Sequence, residues 1–332
     1  MDKTDKNNMR QVILDFPLQF HKALQLSKNI KPKGEFDNLV VCGMGGSSLP
    51  ADLLKTYLAL DLPIYISRNY KLPKKSNAKS LIFTISFSGN TEETLSCYAQ
   101  ALSRGFEPIS ITIGGKLAEL CQQNNTALIL LPNEGIQPRC GTGYIFTAML
   151  KVLINAGIVK DKIADIDETV ELLKNNSSFE EKAKNLAKKL KNKLILVYAS
   201  EGYEALARIW KIKFNENAKV LAFYNTFPEL NHNEMAGFTN LSKENIPLIV
   251  LMLKNKKNHP RIIKRMQITA DIIKQKGGEI IFINMPQGNP LYEIFATLYI
   301  GDWLSYYLAL EYETDPSPVE VVEELKWRMR DE

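Results

Sequence analysis

The sequence predicts an α/β protein made of two mainly parallel sheets, each flanked by helices, and two observations carry that prediction. Short apolar and β-branched runs recur along the chain with helical patterns between most of them, the alternation that buries a parallel sheet on both faces. The series then begins again after a stretch dense in Lys, Glu and Asn (158–192), so that the second half repeats the architecture of the first. Two domains are expected, 1–155 and 156–332. With 332 residues and 45% hydrophobic content, the chain can supply a core to each.

The elements follow in order. Met9, Val12, Ile13, Phe16, Phe20, Ala23 and Leu24 fall at helical spacing and predict a leading helix with Pro17 as a kink. His21 sits among them as a packing or surface histidine. Strands are expected at Asn38 to Cys42, Ile64 to Ser67, Leu81 to Ser86, Ile109 to Ile113 and Ala127 to Leu131. Helices are clearest at Leu49 to Leu58, Thr91 to Ser103 and Gly141 to Asn155. In the second half, an amphipathic helix at Phe179 to Leu190 precedes strands at Leu194 to Ser200, Val220 to Phe223, Ile246 to Leu253 and Glu279 to Ile283. Helices at Gly202 to Asn215, Pro260 to Lys276 and Leu291 to Leu310 accompany them. The C-terminal stretch from Val319 to Met329 reads as a capped helix with Val319, Val322, Leu325 and Met329 on its buried face.

Composition narrows the function. The net charge of +5 comes from interspersed acids and bases, without the basic stripe interleaved with aromatics that would favour nucleic acid. Cys42, Cys97, Cys121 and Cys140 form no C-x-x-C pair, and three histidines support a structural zinc site poorly. They read as reduced thiols. No apolar run reaches the length of a membrane span or signal segment, so a cytoplasmic protein is expected.

The chain is organised around Leu81 to Thr94, LIFTISFSGNTEET: a strand, a hydroxyl-rich turn and a helix start. Unpaired N–H groups and the positive end of the helix dipole, with Ser86, Ser88 and Thr91 around them, make a socket for phosphate. Gly89 lets the backbone approach the anion. The same residues also read as an ordinary N-cap from Asn90 or Ser88. Upstream, GMGGSS follows a buried strand, where Gly45 and Gly46 can bring backbone N–H groups to a ligand and Ser47 adds a hydroxyl. It has neither the third glycine of a dinucleotide fingerprint nor the Gly-Lys-Ser/Thr of a P-loop. A tight strand-to-helix turn without a ligand is the other reading. Arg139, at the end of the proline-bounded loop 132–139, stands at the same rim, as a surface cation or the cap of its own helix on the plainer reading. No equivalent of SFSGNT occurs in the second half, which assigns phosphate to the first domain. In the second half, Glu216 and His232 have the residue types for proton transfer, or are a helix end and an exposed turn.

The set GMGGSS (43–48), SFSGNTEET (86–94), QPR (137–139), NENAK (215–219), PELNHNE (228–234) and DPSPVEVVEELK (315–326) resembles the sugar isomerase (SIS) superfamily, specifically its bifunctional phosphoglucose/phosphomannose isomerases. The resemblance runs in the family's order from Gly43 to Lys326. It implies two SIS-type domains and an aldose-ketose isomerase that interconverts glucose and mannose 6-phosphates with fructose 6-phosphate. It assigns the 6-phosphate to Ser47, Ser86, Ser88 and Thr91, with Gly45 and Gly46 as backbone contacts. Arg139 would lie over the reacting carbons, Glu216 would be the base, His232 would open the sugar ring and Lys326 would assist. No cofactor or metal is implied, and a homodimer is, with His232 contributed across its interface. Thr314 and Ser317 are candidates for tolerating both epimers. A non-catalytic sugar-phosphate sensor and an amino sugar phosphate isomerase share the socket; binding alone needs none of Glu216, His232 and Lys326.

Overall fold

Two parallel sheets organise the computed structural model, which describes residues 2–58, 60–244 and 246–329. The chain leads with α1 (Met9–Asp15) and α2 (Leu18–Ser27). These are two helices where the sequence suggested one kinked rod, because Pro17 has no N–H with which to continue α1. Next come β1 (Asn38–Gly43), α3 (Leu49–Tyr57), β2 (Ile64–Ser67), β3 (Ser80–Ile85), α4 (Glu92–Ser103), β4 (Ile109–Thr112), α5 (Gly115–Gln123), β5 (Leu128–Leu130), α6 (Thr142–Asn155) and α7 (Ile163–Lys174). The first sheet has the order β2-β1-β3-β4-β5, with every pairing parallel. Its central strands are buried on both faces, which is why Leu39, Val40 and Val41 run apolar without alternation.

After Lys174 come α8 (Ser178–Leu190), β6 (Leu194–Ser200), α9 (Glu204–Glu216), β7 (Ala222–Phe227), α10 (Leu241–Glu244), β8 (Leu248–Lys254), α11 (Pro260–Gln275), β9 (Glu279–Asn284), α12 (Pro290–Glu311) and α13 (Glu320–Arg328). The second sheet, β7-β6-β8-β9, is also parallel throughout. Nearly all of the 22-residue α12 is buried, so its apolar residues run all round rather than along one stripe. It packs on α8 through Phe179 and Tyr299 and on α9 through the buried Lys213–Asp302 ion pair, 2.5 Å long.

The chain divides into a first unit, Leu14–Lys174, and a second, Met1–Ile13 with Asn175–Glu332. The division lies beyond the 155/156 boundary expected from composition. Tyr57 on α3 donates to Asp165 on α7 at 2.7 Å, which ties α7 to the first sheet's helices. The N-terminal segment is fastened to the second unit, by Arg10 on Glu180 and by Tyr306 donating to Asp5. Strand β7 begins at Ala222 rather than Val220, because Lys219 has φ +56° and the Val220 N–H turns back to the Phe214 carbonyl. Helix α13 departs most from expectation. None of its residues is buried, and Val321, Leu325 and Trp327 are 81%, 58% and 62% exposed. Among the described residues, no helix is long and apolar enough to cross a membrane.

Candidate active site

In the first unit, the two serine-glycine loops flank one crevice. β1 continues to β2 on one side and β3 to β4 on the other, so the strand order reverses between β1 and β3, where open parallel sheets bind ligands beyond their carboxyl ends. GMGGSS leaves β1 at that edge and SFSGNT leaves β3. Beyond β1, Gly45–Ser47 forms a 3-10 turn, and Gly45 has φ +46°.

The hydroxyls there are oriented by backbone. Ser47 Oγ accepts from the Phe87 N–H at 3.0 Å, Ser86 Oγ from the Thr91 N–H at 3.3 Å, and Ser88 Oγ from the Asn90 N–H at 3.3 Å. A hydroxyl that accepts a backbone N–H keeps its own proton to donate, which is what an anion requires. Ser86 is the exception, because it donates its proton to Thr91 Oγ1 at 2.8 Å and so leaves the Thr91 hydroxyl to donate outward. Ser47 and Ser86 are buried, while Ser88 is exposed and Thr91 partly so. Gly89 has φ +76°, and a Cβ there would stand 2.7 Å from the Gly114 carbonyl carbon. Its carbonyl accepts from the Leu117 N–H at 2.9 Å, so the loop after β4 braces the socket from below. The Gly114-Gly115 brace went unmarked in the sequence reading, although paired glycines after a strand signal a close backbone approach.

Arg139 is buried, in the short 3-10 turn Pro138–Cys140 that opens α6. A Cβ on Gly46 would lie 2.7 Å from the Arg139 nitrogen and 2.9 Å from the Pro138 oxygen. The first glycine loop is thus seated directly on the arginine's turn. The structure brings Ser47, Ser86 and Thr91 together with the Arg139 backbone within this unit.

In the second unit, Glu216 ends α9 and is partly buried. Lys219 closes the turn, its Nζ donating to the carbonyls of Glu216 at 2.8 Å, Asn217 at 3.2 Å and Pro316 at 3.1 Å. A cation at the negative end of α9 suits the helix dipole, and it fastens the Glu216 turn to the DPSP segment. Lys219 also lines an open hollow of about 390 Å³, with Thr314 and Tyr312 on its wall. Ser317 is buried, its N–H on Asp315 Oδ1 at 3.0 Å.

His232 lies at the other end of β7. Its loop is pinned on both sides, by Asn231 donating to Thr269 at 2.8 Å and by Glu234, whose carboxylate accepts from Tyr198 and Asn225. Burial and this carboxylate push the Tyr198 hydroxyl's pKa strongly upward, so it stays a donor. His232 itself is exposed. Glu216 precedes β7 and His232 follows it, with the six-residue strand between them, about 20 Å long at 3.3 Å per residue. Lys326 is exposed on α13, paired to Glu323 at 2.6 Å. His21 is a surface histidine, 2.8 Å from Asp167.

The second sheet reverses its strand order between β6 and β8. Buried Glu293 of α12 accepts from Asn255, just beyond β8, at 2.9 Å and pairs with Lys257 at 2.7 Å. Among the described residues, no group of three or more His, Cys, Asp or Glu could hold a metal ion.

Solved structures that share the fold include the C-terminal domain of a glucosamine-fructose-6-phosphate aminotransferase from Francisella tularensis, with TM-score 0.68 at 15% identity over 94% of this chain and 97% of its own. A hypothetical protein from Thermus thermophilus superposes with TM-score 0.77 at 15% identity, over 96% of this chain and 89% of its own, and so shares the fold. The family model of the bacterial phospho-glucose isomerase C-terminal SIS domain matches residues 179–329. A bifunctional phosphoglucose/phosphomannose isomerase from Caldicellulosiruptor bescii is 37% identical over 96% of this chain and 98% of its own length. One from Aquifex aeolicus is 32% identical over 92% and 93%. The chain belongs to the bifunctional phosphoglucose/phosphomannose isomerase family.

Proposed function

We propose that this chain is an aldose-ketose isomerase that interconverts fructose 6-phosphate with glucose 6-phosphate and mannose 6-phosphate. The observation that carries this reading is the crevice between β1 and β3, where Ser47 and Ser88 each accept a backbone N–H and keep a proton for a phosphate, while Ser86 gives its own to Thr91, whose hydroxyl can donate in turn. Ser47, Ser86, Ser88 and Thr91 hold the 6-phosphate, and the N–H groups at Gly45 and Gly46 approach the substrate.

The reaction moves a proton between carbons 1 and 2 through an enediolate. Glu216 takes it from one carbon and returns it to the other, so one carboxylate on one face suffices. Arg139, always protonated, stabilises the negative charge that develops on the enediolate oxygens. Cyclic substrate opens first: a proton goes to the ring oxygen and another leaves the anomeric hydroxyl, work divided between His232 and Lys326. Glucose and mannose 6-phosphates differ only at carbon 2 and share the enediol, so rotation of the reacting end about an anchored phosphate admits both. Thr314 and Ser317 are the hydroxyls assigned to that tolerance.

His232 acts in the site of a second copy of the chain in a homodimer. The separation of Glu216 and His232 by the length of β7 supports this, as does the rigid fastening of an otherwise exposed histidine. The protein works in the cytoplasm, and its four free, buried cysteines are consistent with a reducing compartment.

Glu216→Gln tests the assignment. It should abolish turnover of fructose 6-phosphate while inorganic phosphate still binds with near wild-type affinity. Full turnover in Glu216→Gln would remove the base; unchanged binding in a wild-type protein without turnover would favour a sensor.

A further inference from the structure

Gln19 is a buried polar side chain on α2, 4% exposed, far in sequence from every motif of the site. Its amide grips the turn that delivers Arg139. Nε2 donates to the Cys140 carbonyl at 2.8 Å, and Oε1 accepts from the Tyr144 N–H at 3.3 Å. Both ends of the amide are therefore spent on backbone at the start of α6, and the fit is close: a Cβ on Gly143 would lie 2.9 Å from Oε1. The same loop is tied earlier by Glu134, which takes Lys22 of α2 at 2.5 Å and the Tyr144 hydroxyl at 2.9 Å. Inside the turn itself the ties are local, Cys140 N–H to Gln137 at 2.8 Å and Gly141 N–H to Pro138 at 3.2 Å. Local bonds fix the shape of the turn; Gln19 fixes where it stands relative to α2.

We propose that Gln19 is a positioning residue for Arg139, acting through the Cys140 carbonyl and Tyr144 N–H to hold the guanidinium where the enediolate charge develops. The inference rests on the role proposed above for Arg139. Charge stabilisation depends on a donor that is already in place when the charge forms, so a small displacement of the turn costs rate more than binding. Phosphate anchoring by Ser86, Ser88 and Thr91 is made on a different loop, and Gln19 has no bond to it.

The test is a double-mutant cycle in the full-length protein. Gln19→Met keeps the volume and removes both hydrogen bonds; it should lower kcat about ten- to hundred-fold, with KM for fructose 6-phosphate and inhibition by inorganic phosphate within about two-fold of wild type. In an Arg139→Gln background the same change should lower kcat less than about two-fold further, because the group it positions is gone. Gln19→Leu also removes both hydrogen bonds; it carries the same expectation and serves if the methionine variant does not fold. Fully additive losses, or a Gln19 variant with unchanged kcat, would overturn the positioning role. An Arg139→Gln protein with full turnover would overturn the role of Arg139 and this inference with it.

Discussion

Gly89→Ala should separate the socket's architecture from simple backbone strain. Alanine at φ +76° costs about 1–2 kcal/mol in the left-handed region. Its Cβ would also press into the Gly114 peptide, 2.7 Å from the carbonyl carbon and 3.0 Å from the Gly115 Cα, and these are backbone atoms that cannot rotate away. Overpacking of this kind adds about 1–3 kcal/mol. Gly105→Ala is the control: φ is +74° and nothing lies within 4 Å, so it bears the strain alone. At about 2–4 °C per kcal/mol for units of this size, Gly89→Ala should melt roughly 2–12 °C below Gly105→Ala. The clash also pushes the turn holding Ser86, Ser88 and Thr91 away from β4, so KM for fructose 6-phosphate should rise about ten-fold or more, and only in Gly89→Ala. Calorimetry and steady-state kinetics on both proteins decide it. Equal melting points with equal KM values would refute the brace between the two loops.

Subunit hybrids test where His232 acts. Glu216→Gln and His232→Ala should each be inactive alone, yet a mixture allowed to exchange subunits should recover about a quarter of wild-type activity, since half of the dimers then hold one intact site of two. No recovery after proven exchange would return His232 to its own chain's site. The fastening of the N-terminal segment predicts a pH dependence. Burial alone would raise the Glu180 pKa, but hydrogen bonds from Arg10 and Tyr307 outweigh it and hold the carboxyl below its ordinary value. A depressed carboxylate stabilises above the unfolded pKa, about 4.3, and loses that contribution as pH falls through its folded value. Arg10→Met should therefore cost up to about 1 kcal/mol at neutral pH, modest because Arg10 is half exposed, and less in acid, as urea titrations would read. Tyr307, pushed up to about 12 by burial and then by Glu180, stabilises fully below about pH 10 and loses its contribution as pH rises through its folded pKa. Tyr307→Phe should flatten that alkaline decline.

Much of this fold was legible because its signals are local. A parallel strand buried on both faces must be apolar throughout, so Leu194–Ser200 could be bounded correctly from seven residues. The turn at SFSGNT was legible from its own glycine and hydroxyls, since Gly89 has φ +76° between β3 and α4. What escaped the sequence depends on distant partners. Gln19 looks like any polar residue on an amphipathic helix until Cys140 and Tyr144 are seen against it. The apolar spacing on α13 suggested a buried face, yet periodicity reports only that a face is apolar, and here those residues are exposed. The chain division depends on distant partners too, since α7 is tied by Tyr57 on Asp165 and His21 on Asp167, and α1 and the segment before it by Arg10 and Asp5. Glu216 and His232 stand out in the sequence by residue type alone, while their placement at opposite ends of β7 belongs to topology.

The most direct measurement is a coupled assay of the purified protein given fructose 6-phosphate, with glucose 6-phosphate and mannose 6-phosphate detected separately, with and without chelator. The account predicts that both products form and that chelator changes neither rate. Formation of neither sugar phosphate would contradict the isomerase reading itself, and formation of glucose 6-phosphate alone would contradict its tolerance of both epimers.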